Sequence, residues 1–368
     1  MKITSLEATW VRIPLHKQYD VQARTYQDSS HIAVRLHTDE GITGIAECPA
    51  VFQPQIAMDV LTKHLGPAVV GMDPRQSDLL HRKMDASIAD YNMAKYSIDV
   101  AAYDIWGKAD GLPICALLGG QQRTAVPVCD AIGILPPDEV AQAARQILDQ
   151  GFTQVKLKAG RDFSRDMEMI RAVREACGDE LQIRIDINTG YRNAAVALPL
   201  CKRLEEAGVD IFEQPVLGSD LAGMATLCDN LVAPVLAHES LATLDDAIAI
   251  VNMKAADILN VSPPKAGGLY KAMQIARFAE AMNVPVMIAG AMETGPGNIA
   301  SAHLGAACRE QPFPGDARTV LREVYSLVNE PIRFEAGHVH LPDGPGLGAT
   351  FDEDAIEKCR QTPWVKTA

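Results

Sequence analysis

The chain has 368 residues, 48% hydrophobic and 22% charged, enough for one large or two medium domains with a substantial core. Its formal charge of −13 argues against a general nucleic-acid or membrane-surface role, which needs basic patches, while leaving room for an anionic small substrate. Eight scattered cysteines without zinc or redox spacing, an N-terminus without a signal-peptide core and no run long enough to span a bilayer predict reduced thiols and a cytoplasmic protein.

Residues 1 to about 50 read as antiparallel β, with strands at Ile3–Ile13 and His31–Leu36 and a hairpin turn at Asp39-Glu40-Gly41. A polar loop from Gln18 to Ser30 carries Tyr19, Arg24 and Tyr26, and a second from Pro49 to Gln55 carries Phe52. Helical spacing follows at about Gln55–Leu65, Gln76–Asp90 and Met93–Ala109, the last closed by Gly111-Leu112-Pro113. From Val126 the texture becomes a strict alternation of short strands and helices with a period of about 26 residues. Seven units are distinct, and an eighth strand near Pro312–Asp316 is weak. No GxGxxG follows the first strand, so a barrel is preferred over an open doubly wound sheet. The expected architecture is α/β: a (β/α)7β modified TIM barrel over residues 125–324. An α+β capping domain comes from residues 1–124 together with a C-terminal segment from about 325 to 368. Within that segment, Arg333–Asp354 is expected to return to the N-terminal sheet.

The chemistry centres on Val155-Lys156-Leu157-Lys158. Strand alternation places Lys156 and Lys158 on one face, where two ammonium groups inside a sheet need anionic company. Asp186, Glu213, Glu239 and then Lys265 follow Lys158 at intervals of 26 to 28 residues, each at or just past a strand end. The C-terminal strand ends are where such barrels hold their sites. Three carboxylates converging there suit a hard divalent cation, Mg²⁺ most simply and Mn²⁺ as an alternative. A lysine at each edge invites proton transfer, with Lys158 the base, its pKa lowered by Lys156 and by burial. A cation would stabilise the enediolate left when a proton α to a carboxylate departs. For Lys156 a plain structural ion pair is equally consistent.

Together with Asp186-Ile187-Asn188, Phe212-Glu213-Gln214-Pro215 and Pro264-Lys265-Ala266-Gly267-Gly268, the lysine motif resembles the enolase superfamily, and within it the muconate-lactonizing-enzyme subgroup. Ala289 to Gly295, with Glu293, is similar to the subgroup's seventh-strand segment, and Asn92 to Lys108 to part of its cap. The resemblance implies that Lys158 and Lys265 are acid/base residues on opposite faces of a substrate. It implies that Lys156 assists at the substrate carboxylate, that Asp186 and Glu213 bind metal, and that Asn188 backs the metal or faces the substrate. The subgroup has Asp-Glu-Ser after the fifth strand where this chain has His238-Glu239-Ser240. Either Glu239 or neutral His238 is then the third ligand; a carboxylate suits Mg²⁺ better, which leaves His238 to face the substrate, to back the metal or to be a buried structural histidine.

The expected reaction is Mg²⁺-dependent proton abstraction α to a carboxylate, with a small-molecule carboxylate as substrate and a homo-oligomer as the assembly. An epimerase, racemase or dehydratase of a small amino acid, the proline type included, is the first reading. A muconate-type cycloisomerase is the second, and a non-catalytic protein retaining a metal is the third. Gly315-Asp316-Ala317 lacks the paired aspartates expected of dipeptide epimerases. Tyr26, Phe52, Glu293, Asn188 and His238 are the candidate substrate-facing residues.

Overall fold

The structure, a computed structural model, describes residues 1–20, 25–50, 53–290, 292–316 and 322–367. Strands β1 (Ile3–Asp20), β2 (Thr25–Thr38) and β3 (Thr43–Pro49) form an antiparallel meander. A C-terminal strand, Val365–Thr367, adds to the outer edge of β1, so this sheet draws on both ends of the chain. β1 and β2 run further than the sequence predicts. Part of the expected polar loop is a β-ribbon in which Tyr19 pairs with Tyr26 and Asp20 with Thr25. Aromatic and β-branched residues opposite one another favour that extension.

The sheet packs on the helix Asn92–Asp110. Contact is so close at Gly44 that a Cβ there would stand 2.1 Å from the Ala101 carbonyl oxygen. That helix is buried on nearly every side because its far face packs on the barrel.

Seven strands, β4 (Ala125–Ile132), β5 (Gln154–Lys158), β6 (Gln182–Asp186), β7 (Ile211–Glu213), β8 (Val235–Ala237), β9 (Ile258–Val261) and β10 (Val286–Ile288), pair in parallel in chain order. The eighth, β11 (Gly315–Asp316), has two residues. It pairs in parallel with β4 and lies against β10, where a Cβ on Gly315 would come within 2.5 Å of the Ile288 carbonyl oxygen. This is the (β/α)7β barrel with its cap. Outward-facing Val155, Leu157, Ile183 and Ile185 join the main core beneath the helices, while Ile211, Leu236, Ile258 and Met287 form a small separate cluster.

One expectation is corrected in part. Within Arg333–Asp354, β12 (Phe334–Glu335) and β13 (His338–His340) form a hairpin, and β13 pairs antiparallel with β4 rather than with the N-terminal sheet. The reason is the shortness of β11, which covers only Val128 and Cys129; β13 takes the hydrogen-bonding edge of Ala125–Pro127. The rest of the segment does return to the cap: Gly346 bridges Pro113, the Leu347 N–H donates to Asp104 of the cap helix, Glu353 pairs with Arg35, and the chain ends as β14 (Val365–Thr367) after a bridge between Arg360 and Val11.

Candidate active site

Register alone brings the central groups together. Lys158 on β5 lies beside Asp186 on β6, and Asp186 lies beside Glu213 on β7, so three successive strand ends present one row. Asp186 and Glu213 are fully buried. Lys158 Nζ donates to Asp186 Oδ2 at 2.5 Å and to Asn188 Oδ1 at 3.1 Å. Asn188 sits at φ 45°, a left-handed conformation that asparagine tolerates, with its own N–H on Asp186 Oδ1. Its amide nitrogen reaches Glu239 Oε1 at 2.9 Å, linking the row to the loop after β8.

One residue back along the same face, Lys156 is level with Arg184. Both are buried cations, and the group that balances them is Asp316 on β11. Lys156 Nζ donates to Asp316 Oδ2 at 2.7 Å, and the Arg184 guanidinium pairs with Asp316 Oδ1. Lys156 also stands 3.8 Å from Asp186 and 3.7 Å from Glu213, and Arg184 Nε is 3.5 Å from Glu213 Oε2. Burial alone would push Asp316 up, but Arg184 and then Lys156 hold it down to about 2. Glu213 is likewise held well below the carboxylate range, burial being outweighed by Lys156 and Arg184. The two cations are therefore a charge-balanced layer beneath the row.

From the sequence, Asp316 stands out only for lacking a paired aspartate, and its role as a counter-ion is missed, although a signal for it exists. Lys156, Lys158 and Arg184 share one inward face, and Asp186 with Glu213 leaves them one anion short.

The electrostatics correct the expectation for Lys158. Burial depresses its pKa and Lys156 adds to that, but the Asp186 carboxylate outweighs both, so the amine is held above its ordinary value. Lys156 is raised too, because Asp316 and Glu213 override burial. Lys265 moves the other way: burial lowers it, with Glu239 opposing. It lies on the short helix Pro263–Ala266 after β9, and its ammonium donates to the His238 carbonyl oxygen.

The loop carrying His238-Glu239-Ser240 is built by Gln214, a buried residue at φ 40°. Its Oε1 accepts from His238 N–H at 3.0 Å, Ser240 N–H at 3.1 Å and Ser240 Oγ at 3.0 Å. His238 Nδ1 stands 2.9 Å from Glu213 Oε1. The Glu239 side chain is 31% exposed, against 15% for His238, and turns toward Asn188.

Toward the cap, Tyr26 is half-buried on the ribbon opposite Tyr19. Arg322 lies over the Tyr19 ring at 4.7 Å while holding Asp130 and the Ala131 carbonyl, so it ties ribbon to barrel. Glu293 is buried near Glu47 of β3, and its carboxylate also lies by Gly290 just after β10, where a Cβ would stand 3.0 Å from Glu293 Oε2 and 2.6 Å from the Asp316 carbonyl oxygen. Phe52 and Arg24 lie outside the described residues.

The donor set fits a hard cation in kind: three carboxylates, two of them buried, with Glu213 Oε2 making no hydrogen bond. Among the described residues no three such groups are already drawn into a cation cage. Asp186 is engaged instead by the Lys158 ammonium.

A capped (β/α)7β barrel with lysines and carboxylates at its C-terminal strand ends defines a class of enzyme. The chain belongs to the enolase superfamily, in the muconate-lactonizing-enzyme subgroup: residues 3–119 match the mandelate racemase/muconate lactonizing enzyme N-terminal domain, and residues 139–355 the enolase C-terminal domain-like family. It is thus an isomerase or lyase of that superfamily. It is 29% identical to an N-succinyl-L-Arg/Lys racemase of Bacillus cereus over 97% of this chain and 98% of that one. The crystal structure of the B. cereus enzyme superposes with a TM-score of 0.95 over 100% of both chains. Identity is also 29% to muconate cycloisomerase 1 of Rhodococcus opacus, over 97% and 98% of the two chains. A dipeptide epimerase of Enterococcus faecalis, complexed with Mg and the dipeptide L-Leu-L-Tyr, has a TM-score of 0.89 at 27% identity, over 95% and 100%. Among the described residues no helix is long and apolar enough to cross a membrane.

Proposed function

We propose that this protein is an Mg²⁺-dependent racemase or epimerase that moves the proton α to the carboxylate of an amino-acid derivative. The observation that carries this reading is the placement of Lys158 at the end of β5 and Lys265 beyond β9, with Asp186 and Glu213 on strands between them. A substrate carbon held between the two amines loses its proton to one. The C–H electron pair moves into the carboxylate as an enediolate, and the other amine returns a proton to the opposite face. Lys156, anchored on Asp316, keeps a fixed positive charge beside the reacting carboxylate. Asp186, Glu213 and Glu239 would hold Mg²⁺, with Mn²⁺ as an alternative, and His238 would face the substrate. Held there, the cation would supply positive charge for the substrate carboxylate, and Lys158, next to Asp186, would be the amine that takes the proton.

The single eighth-strand aspartate, Asp316, is already shared by Lys156 and Arg184. A free α-ammonium therefore meets no uncommitted carboxylate on that strand, which favours a substrate whose nitrogen is acylated. This matches the name of the B. cereus relative more than a free dipeptide. Muconate-type cycloisomerisation is the second reading, supported by the equal identity of the Rhodococcus enzyme over almost its whole length.

The test is incubation in D₂O with Mg²⁺ of N-succinyl amino acids, L-Ala-L-Glu, proline derivatives and cis,cis-muconate, followed by NMR. Exchange and inversion at Cα of the N-acylated compounds is the expected result. Lactone formation from muconate alone would establish the second reading, and no turnover of any compound with Mg²⁺ bound would overturn both.

A further inference from the structure

The two lysines are held in different ways, and the difference points to a residue outside the barrel. The described hydrogen bonds of Lys158 run to Asp186 and Asn188, both in the barrel. Lys265 sits on a four-residue helix that ends at Gly267 and Gly268, whose N–H groups both turn back to the Pro263 carbonyl at 3.0 Å. That turn is pressed against the cap. Asn92, the first residue of the cap helix Asn92–Asp110, donates from Nδ2 to the main-chain carbonyl of Lys265 itself at 2.8 Å.

Seven residues on, Asp99 Oδ2 accepts from the Leu269 N–H at 2.5 Å, and its Oδ1 pairs with His81 Nε2 at 2.7 Å. The fit leaves no room for a side chain at Gly268, where a Cβ would stand 2.4 Å from Asp99 Cγ, and it seats Gly267 in contact range of Asn92, whose Oδ1 would be 3.4 Å from a Cβ there. Asn92 follows Asp90 and Tyr91, both at positive φ (56° and 52°), a turn that delivers its amide to this point.

We infer that Asn92 is a positioning residue for Lys265. The cap aims one of the two proton-transfer amines through a main-chain hydrogen bond, while the described hydrogen bonds of the other run to barrel residues. The inference rests on the assignment of Lys265 as an acid/base group. Its consequence is one-sided: loosening Asn92 disturbs proton transfer on the Lys265 face and spares the Lys158 face. Net racemisation needs both lysines, so the asymmetry is read from α-proton exchange without inversion, followed separately for each enantiomer.

The experiment uses Asn92→Asp, which keeps the shape and removes the donor, and Asn92→Ala in case the first fails to fold. Hydrogen–deuterium exchange by mass spectrometry is expected to speed up by about fivefold or more in the peptide 262–270, with the peptide 154–160 within about twofold of the parent. With an N-succinyl amino acid as probe, exchange of the enantiomer that Lys265→Ala also impairs should fall on the order of tenfold to a hundredfold, the other enantiomer changing little. Unchanged protection of 262–270 overturns the inference whatever the activity, as does an equal fall for both enantiomers. If Lys265→Ala itself leaves both exchanges intact, the assignment of Lys265 has failed, and the protection data still decide whether Asn92 orders that turn.

Discussion

The two edges of the site are built on opposite plans. On the Lys158 side every group follows from strand register: Lys158, Asp186 and Glu213 sit side by side on β5, β6 and β7, and Lys156 and Arg184 form the next row. On the Lys265 side nothing is in register. The amine sits on a short helix after β9, tethered at its tip to the His238 carbonyl and at its backbone to the cap. A sheet edge is rigid because its neighbours share the ladder; a loop between two domains is as rigid as its docking. The Lys158 side is thus a fixed wall, and the Lys265 side is adjusted by whatever holds the cap down.

The largest effect is expected from removing each amine in turn. Lys158→Ala and Lys265→Ala should each lower racemisation by about 10²- to 10⁴-fold. Each should abolish α-proton exchange from a different enantiomer, as measured by NMR in D₂O. Loss of the same enantiomer in both variants would show that the two sides are not opposed.

Next in size is the layer beneath the wall. Arg184→Met leaves Asp316 and Glu213 buried with one fewer cation, which should cost on the order of 3–5 kcal/mol in urea unfolding. The double change Arg184→Met with Asp316→Asn should recover part of that loss, because the uncompensated anion has gone.

A smaller effect sharpens the ligand set between the two sides. Glu239→Gln should weaken Mg²⁺ binding by roughly tenfold or more in calorimetry, while His238→Asn leaves it nearly unchanged, since a hard cation prefers the carboxylate. The reverse order would make His238 the third ligand.

The smallest effect concerns the seam that holds the cap. Glu47 is buried and accepts hydrogen bonds from Thr294 and Gly297 at the start of the helix Gly295–Ala307. Burial, with nearby Glu293 adding, raises it to about 8. A carboxyl that ionises near 4.3 when unfolded and near 8 when folded binds more protons in the native state between those values. Its contribution to stability is therefore present at low pH and is lost as pH rises toward 8. Thermal melts from pH 5 to 8 should fall with pH in the parent and flatten in Glu47→Gln. A slope that is unaltered in the variant would assign the titration to another group, with Glu323, also buried and raised, the first to examine.

How much of this was readable beforehand follows the range of the interactions. Alternation within a strand and the 26- to 28-residue cadence are local properties. They were enough to place Lys156, Lys158, Asp186, Glu213, Glu239 and Lys265 at one end of a barrel. What tertiary structure decided lies between residues far apart in the chain. Asp316 balances Lys156 across 160 positions and Arg184 across 132. Asn92 reaches Lys265 across 173. The β13 edge pairing depended on how short β11 turned out to be. The direction of the Lys158 shift belongs to the same group. Like charge and burial, both legible in the sequence, argue for a depressed amine, but the 2.5 Å contact with Asp186 outweighs them, and only the folded register supplies that distance.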